Sequence, residues 1–120
     1  MFKVYTYSLG ENTEQLLKTH LTDIYGEGTI EIISLTEDNL RIKVSLAEKD
    51  VSCILVVLTQ EAKEKCSDIE DGLFSDKEKF ILYKDDNSII DYLNTNFQLS
   101  LPPIETEYVK TGFAEKIDTS

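Results

Sequence analysis

Residues 53–58 read Cys-Ile-Leu-Val-Val-Leu, six apolar side chains in a row. A half-buried strand alternates apolar and polar residues, whereas a strand covered on both faces is apolar throughout. Branched side chains dominate this run, and they favour strands. The run therefore predicts a central strand over 52–58, with helices packed on both faces of its sheet.

Segments with strand and helix patterns alternate along the rest of the chain. The strands are predicted over 3–8, 29–35 and 80–83, and the helices over 13–25, over 60–71 and from a cap at Asp86 or Asn87 through Phe97. Each helix carries an apolar stripe at helical spacing, while β-branched and aromatic residues dominate the strands. This order predicts an α/β fold, a three-layer sandwich with a central, mostly parallel sheet.

Polar residues and glycines mark the expected helix ends. Asn12 is the predicted N-cap of the first helix, with Gln15 as its capping-box partner and Gly26 as its left-handed stop. Gly72 is predicted to end the second helix. The apolar stripe of that helix is Ala62, Cys66, Ile69 and Leu73.

The segment 40–46 fits two patterns. As a strand, it has apolar residues at every second position; as a helix, it places Leu40, Val44 and Ala47 on one face. We favour the strand, because the alternation is regular and Ile and Val are weaker helix formers. A hairpin over 29–46 would give a mixed sheet, so an α+β fold is the alternative.

The end of the chain has weaker patterns. Residues 106–110 form a candidate last edge strand, and residues 111–120 read as a flexible tail or a short helix. We expect residues 1–120 to form a single globular domain. The lack of a clear last helix also fits a fragment of a larger protein.

The charge balance excludes several classes of function. The chain has 12 Lys+Arg against 23 Asp+Glu, for a formal net charge of -11. This argues against direct binding of nucleic acid or of anionic lipid, since both need clustered positive charge. No apolar run approaches the roughly 18 residues of a membrane span, and no signal peptide is evident. With two cysteines expected as free thiols, we predict a cytoplasmic protein.

Few residues suggest catalysis, a metal or a cofactor. His20 is the one histidine, and its place in the first predicted helix indicates the edge of an apolar stripe. Cys53 and Cys66 lack the spacing of zinc ligands and read as small core residues. The Gly26-Glu27-Gly28 sequence precedes a strand, whereas a phosphate-binding loop follows one. We therefore predict no enzyme activity, no metal and no cofactor.

Acidic residues are concentrated in the second half of the chain. Residues 61–120 hold 14 acidic and 7 basic side chains, against 9 and 5 in residues 1–60. Such residues form either an ordinary solvated face or a surface for a basic protein partner. The candidate contact residues are Asp68, Glu70, Asp71, Asp76, Asp85, Asp86 and Asp91.

The order of elements resembles a receiver domain of two-component signalling. The strand ends carrying this resemblance are Ser8-Leu9-Gly10-Glu11, Leu58-Thr59, Tyr83-Lys84 and Tyr108-Val109-Lys110. In an active receiver, an acidic pair after strand one binds magnesium and an aspartate ending strand three accepts phosphate. Ser8-Leu9 and Leu58-Thr59 stand there instead. The resemblance therefore implies a degenerate, pseudo-receiver domain that dimerises or docks partners without being phosphorylated.

Two functions remain in competition. The first is a non-catalytic interaction module, a regulatory or localising adaptor, whose surface would centre on Ile89, Tyr92 and Tyr108. The second is a small acidic inhibitor of bacterial or phage type, such as an immunity protein, that blocks the basic site of a toxin or nucleic-acid-binding enzyme. The partner in both cases is a protein, either a basic one or a second copy of this chain.

Overall fold

A four-stranded parallel sheet forms the centre of the computed structural model, which describes residues 1–67 and 72–104. The strands are β1 (Phe2–Thr6), β2 (Ile30–Ser34), β3 (Cys53–Thr59) and β4 (Phe80–Tyr83), in the order β2-β1-β3-β4. The helices are α1 (Glu11–Tyr25), α2 (Leu40–Ala47), α3 (Gln60–Lys65), α4 (Gly72–Ser75) and α5 (Asp86–Phe97). The prediction of an α/β fold with a parallel sheet is confirmed.

Helices cover both faces of this sheet. On one face, Leu17 and Leu21 of α1 pack with Leu93 of α5 in one core cluster. On the other face, the second cluster takes in buried residues of α2, α3 and α4. The chain moves from β1 outward to β2 and then crosses back past β1 to β3, as in a doubly wound sheet. The result is a three-layer sandwich.

The central strand β3 is buried on both faces, as its apolar run predicts. Val56 and Leu58 face the cluster with α2, whereas Leu55 and Val57 face the cluster with α1. Lys3 of β1 pairs with Cys53 but the next residue pairs with Leu55, so the strand contains a bulge. At this irregularity the consecutive residues Ile54 and Leu55 both pack with the cluster that contains α1.

The segment 40–46 is a helix, so the prediction of a strand there is wrong, and so is the α+β alternative with a 29–46 hairpin. In α2, Leu40, Val44 and Ala47 are buried against the sheet. The physical reason lies in the topology, because β2 is an edge strand and β3 lies beyond β1. A parallel crossover of this kind needs a covering helix, and that packing outweighs local alternation.

Several helix ends differ from those predicted. Gly10, and not Asn12, is the N-cap of α1, and no side chain caps it, while Gly26 ends α1 as expected. Helix α3 ends at Lys65, well short of residue 71, and Gly72 begins α4 instead of ending a helix.

Asp85 is the N-cap of α5, one residue before the predicted cap. Its carboxylate accepts a hydrogen bond from the backbone N–H of Asn87, so the chain enters the helix earlier than the pattern indicated. The predicted strand over 106–110, the tail over 111–120 and Ile69 all lie outside the described residues.

Candidate functional site

A cavity opens at the carboxyl edge of the sheet, where doubly wound folds usually bind ligands. Its volume is about 510 Å³, and it lies between the first turns of α1 and α5. The lining residues are Leu9, Gly10, Glu11, Asn12, Thr13, Tyr83, Asp85, Asp86, Asn87 and Ile104. Three carboxylates therefore border a space that two helix N-termini also face.

Three polar side chains in this cavity form hydrogen bonds with one another. Asp86 Oδ1 accepts hydrogen bonds from Thr13 Oγ1 at 2.9 Å and from the Tyr83 hydroxyl at 2.8 Å. Burial raises the pKa of the Tyr83 phenol, and the neighbouring Asp86 carboxylate raises it further. The phenol thus keeps its proton as a donor. Asp86 therefore ties α1, β4 and α5 together.

The other predicted acidic residues are spread over the surface. Asp85 and Asp91 are exposed on α5 or at its start, whereas Asp76 is exposed just before β4 and accepts from the Glu78 N–H at 2.9 Å. Asp76 and Asp85 therefore lie beyond opposite ends of β4, roughly 13 Å or more apart. The structure does not bring these two into one cluster. Asp68, Glu70 and Asp71 lie outside the described residues.

The predicted surface of α5 is only partly available. Ile89 is fully buried in the core beneath α5, so as a surface contact it is a wrong prediction. Tyr92 is half-buried, and its hydroxyl donates to the Glu78 carbonyl at 2.6 Å. Tyr108 lies outside the described residues.

The segment that follows α5 returns along that helix. Asn87 binds both backbone groups of Ile104, accepting from its N–H at 2.7 Å and donating to its carbonyl at 3.1 Å. Asn94 binds Leu101 in the same manner. The chain therefore covers part of α5 itself, which no sequence pattern indicated.

The outer face of α2 shows an exposed apolar pair. Ile42 and Leu46 lie one turn apart and are 62% and 60% exposed. The strand interpretation hid this pair, because in a strand both residues share a face with Leu40 and Val44. The helical alternative predicts their exposure, since Ile42 and Leu46 fall outside the stripe formed by Leu40, Val44 and Ala47.

The strand ends that carry the receiver resemblance have structural roles. Ser8 is exposed and Leu9 is buried after β1, and Glu11 is the next acid along the chain. Thr59 at the end of β3 caps α3, because its hydroxyl oxygen accepts from the Ala62 N–H at 3.2 Å. Lys110 lies outside the described residues.

The cysteines and the histidine occupy structural positions. Cys53 and Cys66 are not disulfide-bonded and are buried on the same face of the sheet, and burial raises the pKa of the Cys53 thiol. His20 is half-buried on α1. Within residues 1–67 and 72–104, no three His, Cys, Asp or Glu side chains are grouped to hold a metal. None of the described helices is long and apolar enough to cross a membrane.

Comparison of the chain with protein-family models, with curated proteins and with solved structures finds no match.

Proposed function

We propose that this protein is a non-catalytic protein–protein interaction module, a regulatory or localising adaptor of pseudo-receiver type. Its contact surface is the outer face of α2. The observation that carries the proposal is the exposure of Ile42 and Leu46 on a helix whose opposite face is fully packed.

The anchoring of α2 makes this face suitable for docking. Leu40, Val44 and Ala47 are at most 1% exposed, so the helix is held firmly and presents Ile42 and Leu46 in a fixed geometry. Covering each of those side chains would contribute roughly 1–2 kcal/mol. A rigid pair of apolar anchors loses little conformational entropy on binding.

The sheet order supports the receiver-like part of the proposal. The order β2-β1-β3-β4 matches the first four strands of the 2-1-3-4-5 arrangement. The residues at the ends of β1 and β3 do not supply a phosphoacceptor carboxylate, because Ser8-Leu9 and Leu58-Thr59 stand there, and Thr59 caps α3 instead. Such a module would act by contact alone. The two buried thiols, neither of them in a disulfide, fit a reducing, cytoplasmic setting.

A capture experiment in the native host tests this proposal. The tagged chain is compared with the double variant Ile42→Asp, Leu46→Asp and with Val51→Asp, a control at an apolar residue that is 94% exposed and lies four residues beyond the end of α2. We expect a partner that survives high salt, is lost from the double variant and is kept by the control.

Other results would overturn the proposal. A partner that both variants retain, and that high salt alone releases, would indicate binding through carboxylates, as in the acidic inhibitor. Loss of the partner from both variants would show that α2 has no special role.

A further inference from the structure

Opposite charges flank α2 in the chain. Asp38 lies in the turn before the helix, two residues before Leu40, and Lys49 lies in the turn after it, two residues past Ala47; both are exposed. The eight residues of α2 between these turns span about 12 Å. In the part of the chain that the structure describes, neither side chain forms a salt bridge. An apolar pair is thus flanked by a negative end and a positive end.

Two copies of this arrangement complement each other when their α2 helices run antiparallel. Ile42 and Leu46 are symmetric about Val44, so a two-fold axis through that position places Ile42 of one copy on Leu46 of the other. The same axis brings Asp38 of each copy towards Lys49 of the other. A parallel arrangement would instead set like charges against each other.

From this geometry, and building on the proposed function, we propose that the partner of the α2 face is a second copy of this chain. Two α2 helices pair antiparallel, with Ile42 against Leu46 at the centre and an Asp38–Lys49 ion pair at each end. The pairing is weak and depends on concentration, since two apolar side chains per copy form a small interface.

The local charge favours this site for self-association. The whole chain carries a net charge of -11, so most of its surface repels a second copy. Residues 38–49 are an exception, because they hold two acidic and three basic side chains. Contact through α2 therefore meets less electrostatic repulsion than contact through the acidic second half.

Charge reversal distinguishes antiparallel pairing from other associations. Sedimentation velocity over a range of concentrations would be compared for the natural chain, Asp38→Lys, Lys49→Asp and the double variant. Each single reversal turns two attractive contacts into two repulsive ones, so we expect the dimerisation constant to weaken roughly tenfold. The double variant restores opposite charges and should dimerise like the natural chain at unchanged net charge.

The outcomes separate this inference from the proposed function. If the natural chain stays monomeric at every concentration, or dimerises without response to either single reversal, antiparallel pairing is wrong. It is also wrong if the double variant stays as weak as the single ones. If the chain is monomeric but captures another protein through Ile42 and Leu46, the module stands and only self-pairing fails. A charge-dependent dimer whose formation Ile42→Asp leaves unchanged would overturn both.

Discussion

The side-chain amide of Asn94 pairs with both backbone groups of Leu101. Its Oδ1 accepts from the Leu101 N–H at 2.9 Å, and its Nδ2 donates to the Leu101 carbonyl at 3.0 Å. Asn87, seven residues earlier on the same side of α5, repeats this pairing with Ile104. Because an amide side chain has one donor end and one acceptor end, each asparagine imitates a rung of a β-ladder. The two rungs fasten the returning segment to the helix.

Removing one rung should release the segment locally. We expect Asn94→Ala to lower the free energy of unfolding by roughly 1–2 kcal/mol, since both Leu101 backbone groups lose their partner. Hydrogen exchange at the Leu101 amide should accelerate, while exchange at core amides of β3 should change little. Thr95→Ala, at the exposed neighbouring position, is the control. Unchanged protection of Leu101 would show that Asn94 is not what holds it.

The helical register of α2 makes a second prediction. Val44 is fully buried whereas Leu46 is 60% exposed. We expect Val44→Ser to lower the free energy of unfolding by roughly 2–3 kcal/mol, because it removes core contacts and buries a hydroxyl. Leu46→Ser should change that free energy by no more than about 0.5 kcal/mol. Urea denaturation of both variants measures the difference. Equal losses would mean that both side chains are buried, as in a strand.

The contrast between β3 and α2 shows which parts of the fold are readable from the sequence. The run through Leu55 and Val57 favours a central strand, because it is short and half of its six residues are β-branched. The exposed residues Ile42 and Leu46 make α2 hard to recognise in the sequence. Together with Leu40 and Val44 they place an apolar residue at every second position, which is the pattern of a strand. Only the crossover from β2 to β3 decides between the two patterns, and that is a property of the whole sheet.

The candidate site is less readable than the fold. The roles of Asp85 and Asp86 depend on a helix cap and on Thr13, which is 73 residues away in the chain, so local composition shows only that both are acidic. Ile89 belongs to the inward stripe of α5, and its spacing already indicated burial. The contacts of Asn87 and Asn94 correspond to no sequence pattern, because these side chains bind the backbone groups of Leu101 and Ile104 and not their side chains.

The buried thiols provide a third prediction. Cys53 and Cys66 are at most 2% exposed, and burial raises the pKa of the Cys53 thiol, which lowers its thiolate fraction at neutral pH. We expect neither to react with a disulfide reagent until the protein unfolds. Ser45→Cys, exposed on α2, supplies a positive control that should react at once in the native state. Rapid native modification of Cys53 would contradict its placement in the core.

Tyr92 links stability to alkaline pH. Its hydroxyl donates to the Glu78 carbonyl, and burial raises the pKa of its phenol in the folded state. Above about pH 10, the Tyr92 phenol keeps its proton in the folded chain but loses it in the unfolded chain. Its contribution to stability is therefore complete below about pH 10 and declines as pH rises towards the folded pKa. We expect the free energy of unfolding to fall above that pH, and to fall less steeply in Tyr92→Phe. Some slope should remain, because burial also raises the pKa of Tyr5 and Tyr83. Chemical denaturation at a series of alkaline pH values measures both slopes, and equal slopes would show that Tyr92 titrates alike in the folded and unfolded chains.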